Sequence, residues 1–349
     1  MTHVLALLPF PVKSFLHLST LRSLSEHGVH VHIAVESMDA SPYASDSLDD
    51  FVQMRSLTDL SAEDYSRHSS VLAGLIEARG ISAILQIGAS MSYPLLPELK
   101  MRFPHIRIID LMLNPYGHNW DHFLFENVID TVVVESEFMA DVIRNSTMRP
   151  ARDIRVVRSG TRIGGAYSTL QTTRPLTVGY AGRLSEEKAP VEFVRVVQQA
   201  SQRISAQFKI FGKGPMEREV LAAIRRADLQ ERISMEGFAP TNVEALSSLD
   251  VLIVPSRFDG RPAAIMEASA LGVVTIAAGV GGIPEMLQDG VNGFCLTPWS
   301  VPAAVDRLCA LAENKELLES MRRASRAFAE VEFNYDRMVL SYADILRAA

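Results

Sequence analysis

Cysteine is nearly absent from this sequence: Cys295 and Cys309 are the only two among 349 residues. That excludes a disulfide framework and a cysteine-rich zinc site, and it fits a reducing compartment, so a cytoplasmic location is the expectation. Long apolar runs are missing too, since none reaches the roughly 18 residues needed to span a bilayer. The opening MTHVLALLPF lacks a basic start and a small-residue cleavage site, and Pro9 and Pro11 interrupt it. It reads as a buried first strand rather than a signal peptide. Excess positive charge is also lacking: the net charge is −7 and no basic tail exists, which argues against a nucleic-acid partner. One local exception is the crowding of Arg144, Arg149, Arg152, Arg155, Arg158 and Arg162 around a single acid, Asp153. This segment reads as a solvated linker surface, or else as a site for an anionic acceptor or a membrane headgroup, which would mean peripheral membrane contact. Histidine stops early, with all nine residues at or before His122. His30 and His32 alternate within a strand and read as core or sheet-surface residues.

What is present is a globular composition, 48% hydrophobic and 21% charged, on a chain long enough for two cores. Short apolar β-branched runs alternate with longer amphipathic stretches, the pattern of parallel α/β units. In the first half the strand candidates are 3–8, 29–35, 82–88, 106–111, 131–136 and 154–157, with helices over 15–27, 61–79 and 137–145. In the second half they are 176–182, 207–212, 232–237, 250–256, 273–278 and 293–296. Gly, Ser and Thr cluster near 158–175, where no apolar period survives. The expected organisation is an N-terminal domain over 1–165, a second over 166–325, and a C-terminal helix over 326–349 returning to the first. Two such doubly wound sheets should face a cleft, with ligands at the carboxyl ends of the strands.

The loops after strands therefore carry the chemistry. Arg183 and Lys188 follow the strand at 176–182 beside a helix start, and two cations there suit a diphosphate. Cations at a helix start are also commonly just solvated. Gly212-Lys213-Gly214-Pro215 allows close backbone approach but is no P-loop, because GxxxxGK[ST] is absent; it also suits an ordinary strand-to-helix turn. Asp259 sits in the loop after 250–256, and Glu267 lies on the helix that Pro262 opens. Carboxylates at those two heights can accept bonds from sugar and ribose hydroxyls, although acidic pairs at this spacing are common. Gly281 and Gly282 form a glycine turn opening a short helix, a natural anion site. Asp289 to Gly293 reads as a tight turn before a short strand.

Taken in order, GRLSEEK (182–188), GKGP (212–215), EGF (236–238), PSRFDGRPAAIMEASALG (255–272), GGIPE (281–285) and DGVNG (289–293) resemble the nucleotide-sugar domain of family-4 (group 1) retaining glycosyltransferases with the GT-B fold. The likeness covers roughly 176–300, and the ordered set is specific although each piece is weak. It implies that Arg183 and Lys188 hold the donor diphosphate and stabilise the leaving nucleotide. It implies that Glu267 contacts the ribose and Asp259 the donor sugar, that Gly237 and Phe238 lie beside the base, and that Gly212, Gly281 and Gly282 belong to donor-binding turns. Asp259 departs from the family's usual Glu, shortening the reach by about 1.5 Å, one carbon–carbon bond.

The first half resembles the family less. PFPVKSF (9–15) stands where a glycine-rich loop is usual, and IRVVRSGTR (154–162) replaces the usual linker residues. Its most informative segment is 108–123, which packs Asp110, Asn114, Tyr116, His118 and His122 into one cleft-side loop. The family places a histidine or acid there near the donor sugar, so His118 is the catalytic candidate.

The expected reaction is transfer of a sugar from a nucleoside diphosphate to an unidentified acceptor with retained configuration. Charge develops on the departing diphosphate, where Arg183 and Lys188 act. No D-x-D triad occurs, so neither metal nor other cofactor is expected. The rivals are another GT-B enzyme such as an epimerase, and a catalytically inactive nucleotide-sugar binder.

Overall fold

The computed structural model describes residues 1–9, 16–35, 51–53, 62–113, 120–163, 175–239 and 242–348. The chain forms two compact units, Met1–Arg158 with Asp336–Ala349, and Ser159–Tyr335. Among the described residues no helix is long and apolar enough to cross a membrane.

Among the described residues the first unit holds a parallel sheet of seven strands: β1 (Thr2–Leu8), β2 (Val29–Val35), β3 (Phe51–Gln53), β4 (Ala83–Gln86), β5 (Arg107–Met112), β6 (Thr131–Val134) and β7 (Ile154–Val156), in the spatial order β3-β2-β1-β4-β5-β6-β7. Among its described residues the second holds a parallel sheet of six: β8 (Leu176–Ala181), β9 (Ala206–Phe211), β10 (Ile233–Gly237), β11 (Val251–Val254), β12 (Val274–Ala278) and β13 (Gly293–Leu296), in the order β10-β9-β8-β11-β12-β13. Helices cover both faces of such sheets, so the inner strands are buried throughout, as in β4, β6, β11 and β12. The helix Pro190–Ala200 shows how the pattern works. It buries Phe193, Val194, Val196, Val197 and Ala200 in the core of the second unit. Each large apolar side chain contributes about 1.5–3 kcal/mol by leaving water. The polar starts of other helices are capped: Ser136 accepts from the Met139 amide, Ser300 from that of Ala303, and Asn314 from that of Leu317.

A buried ion pair braces the second sheet. Arg322 and Asp250 have side chains 0% and 2% exposed, with Nη1 3.4 Å from Oδ1. The other Asp250 oxygen accepts the Thr177 amide at 2.8 Å, so this acid ties the starts of β8 and β11 to the helix Lys315–Glu332.

The units divide at 158/159 and 335/336 rather than at 165/166 and 325/326. Backbone pairing explains the shift within the second unit. The Thr161 amide donates to the Phe333 carbonyl at 2.9 Å, and Thr161 bridges Asn334 in parallel. A Cβ on Gly160 would stand 2.5 Å from the Asn334 oxygen, so only glycine admits this approach. The entering and leaving strands of the unit thus lie side by side, and Lys315–Glu332 stays with the second core.

The arginine-rich segment does not form one free basic surface. Arg149 is 6% exposed and donates to the carbonyls of Ile129 and Glu126, Arg144 pairs with Asp141 and Glu137, and Arg162 lies over the Tyr335 ring. The guanidinium fork finds local acceptors that a count of charges does not reveal.

Candidate active site

In the second unit the strand order reverses between β8 and β11, which are paired neighbours although β9 and β10 lie between them in sequence. At such a switch point two loops leave the carboxyl ends in opposite directions and open a crevice. The loop after β8 carries Arg183 and Lys188, and the loop after β11 carries Asp259.

The β8 loop is pinned before it reaches Lys188. Leu184 is buried completely, and the Tyr180 hydroxyl donates to the Arg183 carbonyl at 2.8 Å. Burial pushes the Tyr180 phenol well above its ordinary range, aided by the Asp259 and Glu187 carboxylates, so it stays a donor. The helix begins at Pro190, two residues beyond Lys188, because Ala189 adopts a left-handed conformation with φ 48° and turns the chain. Lys188 therefore reaches out from the turn, not from the helix. Its Nζ stands 2.5 Å from Asp259 Oδ2, with the side chains 29% and 7% exposed. Ser256 donates to the same oxygen at 3.2 Å. Arg183 is exposed, and among the described residues it forms no ion pair.

Glu187 locks the two loops together. Its carbonyl accepts the Arg257 amide at 2.8 Å, and its carboxylate accepts the Ser185 hydroxyl at 2.5 Å. Burial alone would raise its pKa. The Ser185 hydroxyl, a backbone amide and the charges of Lys188 and Arg183 outweigh burial and hold it below the usual carboxylate range.

Glycines let the neighbouring loops close on this pair. Gly281, with φ 57°, lies so near the Asp259 carbonyl that a Cβ would stand 1.8 Å from its oxygen, and the Gly282 amide donates to that oxygen at 3.1 Å. Gly212, with φ 131°, packs on the Gly182 carbonyl, where a Cβ would come within 1.9 Å. The Gly212 amide donates to the Gly237 carbonyl at 2.6 Å. Phe238 follows, 43% exposed, with Lys213 Nζ 5.9 Å above its ring. Glu267 lies half-buried on the helix Ala263–Ala270, which Pro262 caps from outside rather than starting from within.

Asp259 thus meets Lys188 through its carboxylate and the Gly281–Gly282 turn through its carbonyl, and Gly212 and Gly237 are joined by a backbone hydrogen bond. Ser256, Glu187 and Tyr180 were not singled out by sequence reasoning. Ser256 and Glu187 lie inside quoted motifs, but their roles depend on which loops meet. Chemically, a lysine shared with a carboxylate and an exposed arginine suit an anion bearing hydroxyls.

In the first unit the expected polar loop is different. Asp110 belongs to β5 and is 0% exposed, and it accepts the Tyr93 hydroxyl at 2.8 and 2.9 Å. His122, also 0% exposed, has Nδ1 2.6 Å from Asp110 Oδ2. These two form a buried pair rather than part of an open loop, because strand alternation turns Asp110 into the helix layer. Asn114, Tyr116 and His118 lie outside the described residues, as does most of 9–15.

Residues 168–328 match the family described as Glycosyl transferases group 1. Amylovoran biosynthesis glycosyltransferase AmsK of Erwinia amylovora is 26% identical over 265 residues, covering 72% of this chain and 60% of that one. The putative colanic acid biosynthesis glycosyltransferase WcaL of Escherichia coli is 29% identical over 185 residues, 50% of this chain and 45% of that protein. The chain therefore spans about half to three fifths of the length of these relatives. Among solved structures, Anabaena Alr3699/HepE in complex with UDP-glucose matches with a TM-score of 0.82 over 100% of both chains at 15% identity, a likeness of fold. With its motif loops assembled at the carboxyl ends of β8 to β12, the chain has the GT-B fold, and its residues 168–328 are similar to the group 1 glycosyl transferases.

Proposed function

We propose that this protein moves a sugar from a nucleoside-diphosphate donor to a hydroxyl acceptor in glycan biosynthesis, with retained anomeric configuration and without a metal ion in the reaction. The observation that carries this reading is the contact of Lys188, Asp259 and the Gly281–Gly282 turn at the switch point of the second sheet. Support also comes from the names of the relatives, which are glycosyltransferases of amylovoran and colanic acid biosynthesis, and from HepE, which binds UDP-glucose.

Arg183 and Lys188 hold the diphosphate, and their charge counts most as the leaving group gathers negative charge. Asp259 accepts hydroxyls of the donor sugar, sharing Lys188 with the phosphate, and Glu267 accepts those of the ribose. Phe238 offers an exposed ring beside the base. The acceptor oxygen bonds to the anomeric carbon on the face from which the diphosphate departs, and its proton passes to the departing phosphate oxygen, so the configuration is retained. His118 stands as the candidate from the other unit. The peripheral membrane contact of the arginine-rich segment narrows to its exposed members, such as Arg152.

A panel of UDP-, GDP- and TDP-sugars tests the reading, with release of nucleoside diphosphate and the anomer of the product as readouts. One donor should be turned over, and Arg183→Ala and Lys188→Ala should each lower turnover by about 10²–10³-fold with the fold intact. Binding of a donor without turnover would identify a nucleotide-sugar binder instead. Failure of every donor to bind would overturn the assignment.

A further inference from the structure

We propose that His3, His30 and His32 form a binding site for a divalent transition-metal ion of the zinc class, bridging β1 to β2. Among the described residues they are the one group of three or more potential ligand side chains whose ligand atoms all lie within 4.8 Å of one another. The placement follows from the sheet. His3 is the register partner of His30 on the parallel neighbour, and His32 is two residues further along the same strand. Residues two apart on a strand share a face, so all three rings project from one side. Their centroids are 5.3, 5.4 and 4.7 Å apart, and His3 Nδ1 stands 3.1 Å from His32 Nε2.

These distances suit coordination. Zinc binds imidazole nitrogen at about 2.0–2.1 Å, so two ligands of a tetrahedral ion stand about 3.3–3.4 Å apart. The His3–His32 pair is already close to that separation, and a rotation of the His30 ring closes the third side. A neutral three-imidazole set with no carboxylate favours zinc, copper or nickel over magnesium or calcium, which prefer oxygen. Further along the same face the strands carry Leu5, Leu7 and Ala34, all in the buried core. The three histidines are half-buried, so an ion has access from solvent but rests on an apolar floor. Ordinary stacking of histidines across a sheet needs ring contact only; it does not require three nitrogens to converge.

The cluster lies toward the amino ends of β1 and β2. Ligands of doubly wound sheets that take part in reactions bind at the carboxyl ends. The ion here therefore acts as a clip between strands, with water completing its coordination, and stabilises the first unit by binding the folded state.

The experiment uses the full chain stripped with EDTA and then titrated with zinc chloride alone against a chromophoric chelator. One ion per chain is expected at micromolar affinity. At a hundredfold excess over Kd the melting temperature should rise by on the order of 5 °C. His3→Gln and His32→Gln should each weaken binding at least tenfold, whereas His105→Gln on the exposed surface should leave it unchanged. Absence of stoichiometric binding, or wild-type affinity in the first two variants, overturns the site. If those variants misfold, pulsed EPR of the wild-type chain loaded with copper(II) decides: three coordinated imidazoles support the site, and fewer overturn it.

Discussion

Replacing Gly281 by alanine introduces a Cβ 1.8 Å from the Asp259 carbonyl oxygen and 2.9 Å from its carbon. Real Cβ contacts essentially never fall under 3.0 Å, so one of the two backbones must move by about 1.2 Å. The substituted residue also sits at φ 57°, which costs an L-residue about 1–2 kcal/mol. The bond from the Gly282 amide to the same oxygen, 3.1 Å long, is strained or lost, at about 1 kcal/mol. Stability should fall by roughly 2–4 kcal/mol, read as a lower urea midpoint. The larger effect is on activity. The displaced segment carries Asp259, whose carboxylate meets Lys188 at 2.5 Å, and a shift of about 1 Å in a reacting site can cost about 10²-fold in rate. Gly290→Ala is the internal control: its φ is 74° but nothing lies within 4 Å of the added carbon. That variant should pay only the backbone term, about 1 kcal/mol, with turnover of a responsive donor near wild type. Equal turnover in the two alanine variants would refute the claim that the Gly281 turn positions Asp259.

Other outcomes follow from the same geometry. Asp259→Asn should lose charge-assisted bonds worth about 1.5–3 kcal/mol and lower turnover about 10–100-fold, and Asp259→Glu should also lose activity, because the carboxylate site is 7% exposed and already filled by Lys188 and Ser256; a gain for Asp259→Glu across the donor panel would show a decayed site instead. Arg322→Met strands Asp250 without its buried partner and should destabilise by about 3–5 kcal/mol, with part of the loss recovered in the double variant with Asp250→Asn; an unchanged urea midpoint in the single variant would contradict this. Glu187 has a depressed folded pKa, so its stabilisation is present above the unfolded carboxylate value of about 4.3 and is lost as pH falls through the lower folded value. Glu187→Gln should accordingly lower the urea midpoint at pH 6, and the gap to wild type should narrow near pH 3; a gap that widens on acidification would reverse the sign of this argument.

The sequence by itself determined the strands, because burial on both faces demands short, unbroken apolar runs. Segments 29–35 and 293–296 match β2 and β13 residue for residue, and the other expected strands end within three residues of those observed. Terminal glycines and serines, as at Gly182, Gly212 and Ser256, leave the ladder for the loops. β3, only three residues long, had no periodicity to detect. The motif order also named the loops of the second unit, since their charges and glycines stand directly after strands.

Which of those residues touch was beyond any spacing argument. Lys188 and Asp259 are 71 positions apart and meet because β8 and β11 are hydrogen-bonded neighbours. Gly281 reaches the Asp259 carbonyl for the same reason one strand further on, where β11 pairs with β12. The converse holds for Asp110 and His122, which look like loop polar groups in one dimension but are turned inward by their own strand and helix. His3 lies 27 residues before His30, and only the in-register pairing of β1 with β2 sets them on one face. Local periodicity is written in neighbouring residues and can be read from them; proximity across a sheet is decided by strand order and register, which arise from packing the whole unit.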